Sequence, residues 1–215
     1  MIGVWDDHDF GDDDVGGDYP LKALSKQLFC DEWGEPADSP RRTRPGIYEA
    51  YRIERGGRTV QILMLDLRFN RTPLVADPAL KNGYAAMYAK AKLGGAPMAG
   101  WYQPNLDPAA TLLGEAQWAW LAERLAEPAD VRILCSSVQL AAEGTGWEGW
   151  SNFPLERQRL AEHLRVEPAA LSAATQLLQQ SQSSQQPLNE DEAQLVGQAL
   201  QRTLRPLQRY RCAAC

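Results

Sequence analysis

Seven aspartates, at positions 6, 7, 9, 12, 13, 14 and 18, crowd the start of this 215-residue chain, and His8 stands among them. Carboxylates packed so closely raise one another's pKa, an electrostatic cost that a cation ordinarily relieves. The cluster follows directly on Met1-Ile2-Gly3-Val4-Trp5, a bulky apolar run. Such a run breaking at once into polar loop reads as a buried strand feeding a site, which is where α/β sheets place their chemistry. Carboxylate oxygens with one imidazole suit hard or borderline ions such as calcium, manganese or iron. A solvated acidic loop is the alternative, and composition alone does not separate the two. Position behind a strand favours the cation. No register of an EF-hand loop fits, and Gly-rich phosphate loops, a Gly-x-Ser-x-Gly elbow and paired Cys-x-x-Cys knuckles are missing.

The chain is the size of one domain with one substantial core. A net charge of −6 argues against general affinity for nucleic acid or anionic membrane, although bound cations could still reverse the field locally for an anionic substrate. No apolar stretch reaches the roughly 20 residues of a membrane span, and the first residues lack the basic region and length of a signal peptide. Cys30 and Cys135 read as small buried hydrophobes within apolar segments.

Residues 19–33 are expected to form a short helix with Leu21, Leu24, Leu28 and Phe29 as its apolar stripe. Residues 47–54 and 58–69 flank Arg55-Gly56-Gly57, a hairpin signal, and the second strand is apolar enough to be covered on both faces. Residues 70–110 read as a long irregular excursion of the kind that serves as a lid or binding loop. A helix over 111–125 ended by Pro128, a buried strand over 131–138, a Gly/Trp loop and a helix from about 152 to 164 complete the pattern. Strands alternating with helices around one hairpin predict an α/β fold, a mixed sheet layered with helices. Beyond about residue 166 glutamine dominates and two weakly amphipathic helices are the most that the pattern supports. Asn189, with Glu192 three residues on, could cap the second.

Several other residues are open to a functional or a structural reading. Asp66 ends a strand and could face the cluster, but capping the first loop amides is the more common role. Trp147 and Trp150 could wall a pocket, with packing favoured for at least one. Ser136 and Ser137 lack a matched His/Asp pair. His163 sits near a helix C-terminus and reads as structural. The Arg41-Arg42-Thr43-Arg44 run reads as a solvated loop, with phosphate attraction as the other option. Cys212 and Cys215 are spaced as a Cys-x-x-Cys but lack a second pair, and read as a fraying tail.

Val4-Trp5-Asp6-Asp7-His8-Asp9-Phe10-Gly11-Asp12 resembles the Trp-Asp-Asp-His-Asp/Glu motif of the PhoD-like alkaline phosphatases (alkaline phosphatase D), within the calcineurin-like metallophosphoesterase superfamily. The resemblance continues in order through Lys26-Gln27-Leu28-Phe29, Arg44-Pro45-Gly46-Ile47-Tyr48, Leu65-Asp66-Leu67-Arg68, Leu113-Gly114-Glu115-Ala116-Gln117-Trp118, and Gly146-Trp147-Glu148-Gly149-Trp150 with Glu156-Arg157-Gln158, so that it spans about residues 2–164. It implies an α/β/β/α sandwich, of which residues 1–165 would be a partial domain and 166–215 a helical or disordered tail unrelated to the family. It also implies two or more divalent or trivalent ions (calcium, iron or manganese) and hydrolysis of small-molecule phosphoric mono- or diesters. Matched to the superfamily's Gly-Asn-His-Asp motif, Asp7 falls on a metal ligand, His8 on the catalytic histidine and Asp9 on the residue that orients it. Asp6 is a possible further ligand. No oligomeric state is implied, and relatives are often exported. The family's upstream Gly-Asp strand end and downstream Gly-Asp-x-His motif have no match here, so impaired activity is expected. A non-catalytic remnant or interaction module, or an acidic-loop calcium binder, are the alternative readings.

Overall fold

A computed structural model of the chain describes residues 2–95 and 98–164, with positions 189 and 191 beyond them. The chain enters without regular secondary structure, turns through the aspartate loop and forms helix α1 (Lys22–Glu32) and the single-turn α2 (Pro40–Thr43). Strands β1 (Glu49–Arg55) and β2 (Arg58–Met64) follow as an antiparallel hairpin. Gly56 and Gly57 both take positive φ, 59° and 72°, which two-residue hairpin turns require because their twist must match that of the strands.

Residues 75–103 then form a small lobe. Two-residue strands β3 (Val75–Ala76) and β4 (Tyr102–Gln103) pair antiparallel, and α3 (Pro78–Asn82) and α4 (Tyr84–Gly94) lie between them. The excursion expected here is thus partly regular. Its helices bury no residue, so the apolar periodicity that reveals a helix in sequence is missing. Helix α5 (Glu115–Ala126), strand β5 (Val131–Cys135), a 3₁₀ turn (Trp150–Asn152) and α6 (Pro154–Leu164) complete the described chain.

β5 joins β2 in parallel, so the sheet has the order β1-β2-β5 and is mixed, as the alternation of elements predicts. One of its faces carries Ala50, Leu63 and Leu134 and packs against α5 and α6, where Leu67, Trp118, Leu121, Trp150, Phe153 and Leu160 complete the main core. The buried Glu156 of α6 ties this layer together: its carboxylate accepts from Trp118 Nε1 at 2.7 Å and from the backbone N–H of Leu112 at 2.6 Å. A second core gathers Trp5, Phe10, Phe29, Cys30 and Ile47.

Three expectations are corrected. Residues 2–5 form no strand and have no regular secondary structure, and only Trp5 of them is buried. Leu21 at the N-cap and Leu24 and Leu28 of α1 are exposed, and the buried residues of the helix are Phe29 and Cys30. The second face of β5 and β2 is covered only in part: Met64 is buried and Val60, Ile62 and Cys135 are half-buried, but Val131 and Ile133 are open to solvent. Among the described residues, no helix is long and apolar enough to cross a membrane. The tail beyond residue 164, including Glu192, Cys212 and Cys215, lies outside the described residues apart from Asn189 and Asp191.

Candidate metal-binding site

The aspartate loop is pinned from below by Trp5. Its ring is fully buried, stacks on Phe69 at 6.5 Å between centroids and tilts against Phe10 at 4.9 Å. Its Nε1–H donates to Asp66 Oδ1 at 2.9 Å. Asp66, fully buried just beyond the end of β2, also accepts from the backbone N–H of Arg68 (2.9 Å) and Phe69 (3.0 Å), and through Oδ2 from that of Ile47 (2.8 Å). It therefore caps the loop amides and does not face the acidic cluster. With Trp5 and Phe10 both driven into the core, and the backbone turned back on itself by Phe10 and Gly11 N–H to the Asp7 carbonyl (both 3.0 Å), residues 6–9 project outward beyond the C-terminal end of β2.

Asp7 lies at the centre of the cluster. Its Oδ1 accepts from Asp14 N–H at 2.8 Å, while Oδ2 lies 3.6 Å from His8 Nε2, which is in turn 3.9 Å from Asp13 Oδ1. Asp7, His8 and Asp13 each offer one ligand atom within 4.8 Å of the others. Asp9 is placed differently. Its Oδ1 accepts from Asp6 N–H at 2.7 Å and so closes the turn, and the carboxylates beside the imidazole are those of Asp7 and Asp13. The imidazole itself is 76% exposed.

Asp6 points to a pair of arginines that the sequence reading did not single out. Arg68 is fully buried, and its guanidinium meets Asp6 Oδ1 (2.9 Å), Asp7 Oδ1 (3.2 Å) and both carboxylate oxygens of Glu148. Arg71, also buried, pairs with Glu148 through Nη1, and its Nη2 donates to the carbonyls of Asp14 (2.6 Å) and Val15 (2.9 Å). Burial, reinforced by the neighbouring Arg68, pushes Arg71 down to about 10, which leaves it cationic at neutral pH. Tyr102, from the small lobe, donates its hydroxyl to Asp14 Oδ2 at 2.6 Å. Burial and that bond raise its pKa and keep it a donor. The available signal was a pair of arginines three residues apart just after an apolar strand, since a buried guanidinium requires carboxylate partners.

These positions decide where a cation fits. Asp7, Asp14 and Glu148 also converge within 4.8 Å, but two guanidiniums already compensate them. Asp7 Oδ2 and Asp13 Oδ1 instead pair, among the described residues, only with His8, and the Asp13 side chain is open to solvent. Two carboxylates and a neutral imidazole suit a divalent ion that keeps water in its remaining positions.

The other candidates resolve structurally. Trp150 is a core residue and donates Nε1–H to Ser136 Oγ at 3.0 Å. Trp147 is half-buried and lines, with Asp6, Ser137, Thr145 and Glu148, an open cleft of about 230 Å³. The Trp147 loop is braced against the small lobe: a Cβ on Gly100 would come within 2.1 Å of the Gly146 carbonyl oxygen. His163 closes α6 with Nδ1 2.8 Å from the Arg159 carbonyl. The arginine run is not solvated. Arg41 is buried against Glu35 (2.9 Å), Arg42 pairs with Asp31 (2.7 Å), and Arg44 pairs with Glu49 (3.1 Å).

No family model matches the chain. No curated protein matches its sequence. A solved structure of PhoD does match, with a TM-score of 0.52 at 20% identity, over 75% of this chain. Over that segment the two share a fold. The resemblance seen in the motifs therefore extends to the three-dimensional arrangement. The match covers 31% of the PhoD chain, so this chain spans about a third of that protein's length.

Proposed function

We infer that the loop around residue 8 belongs to a metal-dependent phosphoric ester hydrolase site of the PhoD kind, acting on small-molecule phosphate mono- or diesters. The observation that carries this reading is the convergence of Asp7 Oδ2, His8 Nε2 and Asp13 Oδ1 on one open point beyond the C-terminal end of β2, in a segment that shares the PhoD fold. A divalent ion bound there would polarise a phosphoryl oxygen and lower the pKa of a bound water. Asp7 would hold it, with Asp13 in the place first expected for Asp6; Arg68 keeps Asp6 on the other side of the loop. His8 has two roles open to it from its position. It can complete the ligand set, or it can protonate a departing alkoxide, since its exposed ring is reachable by substrate. Asp9 serves the site by closing the turn that presents Asp6, Asp7 and His8.

A second reading, a non-catalytic remnant, is favoured by one observation. Arg68 and Arg71 neutralise the inner carboxylates without any metal, so the loop can fold whether or not it turns over substrate. The separating experiment measures bound metal and the hydrolysis of p-nitrophenyl phosphate mono- and diesters by the full chain, wild type against His8→Ala. A metal-dependent rate in the wild type, reduced at least tenfold in the variant, is the expected result. Equal rates would remove His8 from the mechanism, and bound calcium without turnover would favour the calcium-binding alternative.

A further inference from the structure

The two carboxylate oxygens of Asp7 face different partners. Oδ1 accepts from Asp14 N–H at 2.8 Å and lies 3.2 Å from Arg68 Nη1, while Oδ2 stands beside His8 Nε2 at 3.6 Å. A carboxylate turns easily about its last torsion, whose preferences are broad. Which oxygen is offered to an ion therefore depends on what keeps the Asp14 N–H in place.

Asp14 is held in an uncommon conformation. Its φ is 55°, and among the described residues it is the only one other than glycine at positive φ. Aspartate tolerates the left-handed region better than most residues, but it stays there only where its surroundings fix it. Three bonds do so here. Its N–H donates to Asp7, its carbonyl accepts from Arg71 Nη2 at 2.6 Å, and its Oδ2 accepts from the Tyr102 hydroxyl at 2.6 Å. The third bond comes from the small lobe, 88 residues further along the chain. Tyr102 is itself firmly seated. It lies in β4 opposite Ala76, and its N–H donates to the Gly146 carbonyl at 2.7 Å. Two residues earlier, Gly100 N–H donates to the Thr145 carbonyl at 2.8 Å, and the backbones at Gly100 and Gly146 approach too closely for either to carry a side chain.

We propose that Tyr102 is a positioning residue for the cation site: through Asp14 it keeps Asp7 Oδ1 turned to the protein and Oδ2 turned to the ion. The role rests on the ion-binding part of the hydrolase reading, and not on turnover. Without the hydroxyl, Asp14 is free to leave the left-handed region, its N–H moves off Oδ1, and Asp7 no longer presents one fixed ligand atom. Loss of a group that orients a metal ligand weakens metal binding by about 10–100-fold.

The full-length protein is titrated with Mn²⁺ and, separately, with Ca²⁺ by calorimetry, and the site is defined as the binding that Asp7→Ala removes. Tyr102→Phe deletes one hydroxyl and no charge, and is expected to weaken that binding about tenfold at unchanged stoichiometry. Asp14→Gly keeps the N–H and accepts positive φ but offers the hydroxyl no acceptor, so in that background Tyr102→Phe should cost nothing further. A Tyr102 that merely supports the fold would weaken binding equally in both backgrounds. That result, or wild-type affinity in Tyr102→Phe, would overturn the proposal and leave the ion site standing. A wild type that binds neither ion at a site removed by Asp7→Ala would overturn both. Should Tyr102→Phe fail to fold, Asp14→Asn and Asp14→Gly take its place: both lose the same charge and only asparagine keeps an acceptor for the hydroxyl. Asparagine is then expected to bind the ion more tightly, and equal affinities would overturn the proposal.

Discussion

Asp66→Asn changes one atom in the side chain that joins the fold to the aspartate loop, and its cost can be worked from the four bonds that Asp66 accepts. Oδ1 takes three donors, Trp5 Nε1 and the N–H groups of Arg68 and Phe69, and Oδ2 takes Ile47 N–H at 2.8 Å. An asparagine keeps one oxygen, and three donors oblige it to sit at the Oδ1 position. Its NH₂ then faces Ile47 N–H, donor against donor, in a fully buried site. A hydrogen bond to a charged acceptor contributes about 1.5–3 kcal/mol, and the three bonds that survive weaken toward neutral strength. The cheaper burial of an uncharged amide returns part of this, leaving a net loss of about 3 kcal/mol, a sizeable share of the 5–15 kcal/mol typical of a domain. With a urea m-value of about 2 kcal/mol/M, the unfolding midpoint should fall by about 1.5 M. Trp5→Phe removes one of the four donors and should cost about half as much. The double variant should be less destabilised than the sum, because the Trp5–Asp66 bond can be lost only once. A midpoint for Asp66→Asn within 0.3 M of wild type, at unchanged m, would refute the claim that Asp66 organises this junction.

Three further outcomes follow from the same structure. Arg68→Met leaves Glu148, Asp6 and Asp7 without their shared buried cation and should cost about 3–5 kcal/mol by thermal unfolding; an unchanged Tm would mean that the carboxylates are compensated from elsewhere. Burial tends to raise the Glu35 carboxyl, but the Ser39 hydroxyl and Arg41 outweigh it and hold the pKa below the usual glutamate range. Its contribution to stability is therefore present above about pH 4.3 and lost as pH falls through the lower folded value, and Glu35→Gln should flatten that part of the stability–pH curve. Gly57→Ala puts a Cβ at φ 72°, where nothing crowds it but the backbone itself is disfavoured. It should cost about 1–2 kcal/mol, and a cost near zero would show the turn to be free to change type.

Those effects also show which features of this chain its sequence makes legible. The hairpin was readable because Gly56-Gly57 between β-branched runs has one good solution. Helix α5 was readable because its apolar residues repeat with the helical period and a proline stands just beyond it. α4 was not, since no side chain of it is buried and nothing in its composition had to be periodic. The roles of Asp66 and His163 followed from position relative to strand and helix ends, because the backbone donors and acceptors there need partners whatever the fold.

The aspartate loop was legible as a cluster but not as a geometry, and the reason is the compensating charge. Seven aspartates in a row of thirteen residues require cations, and the sequence supplies two kinds of answer that look alike on paper: a metal, or arginines from elsewhere in the chain. Arg68 and Arg71 sit some sixty residues away, and only the fold brings them beneath Asp6, Asp7 and Glu148. Once they are in place the cluster divides. Its inner carboxylates are satisfied by protein, and its outer ones, Asp7 Oδ2 and Asp13, meet only His8 among the described residues. Asp6 and Asp9, adjacent to the motif's centre, are instead engaged by structural partners, Arg68 and the Asp6 N–H. Adjacent residues on a tight turn point in different directions, so a motif read position by position assigns roles more evenly than the backbone can present them.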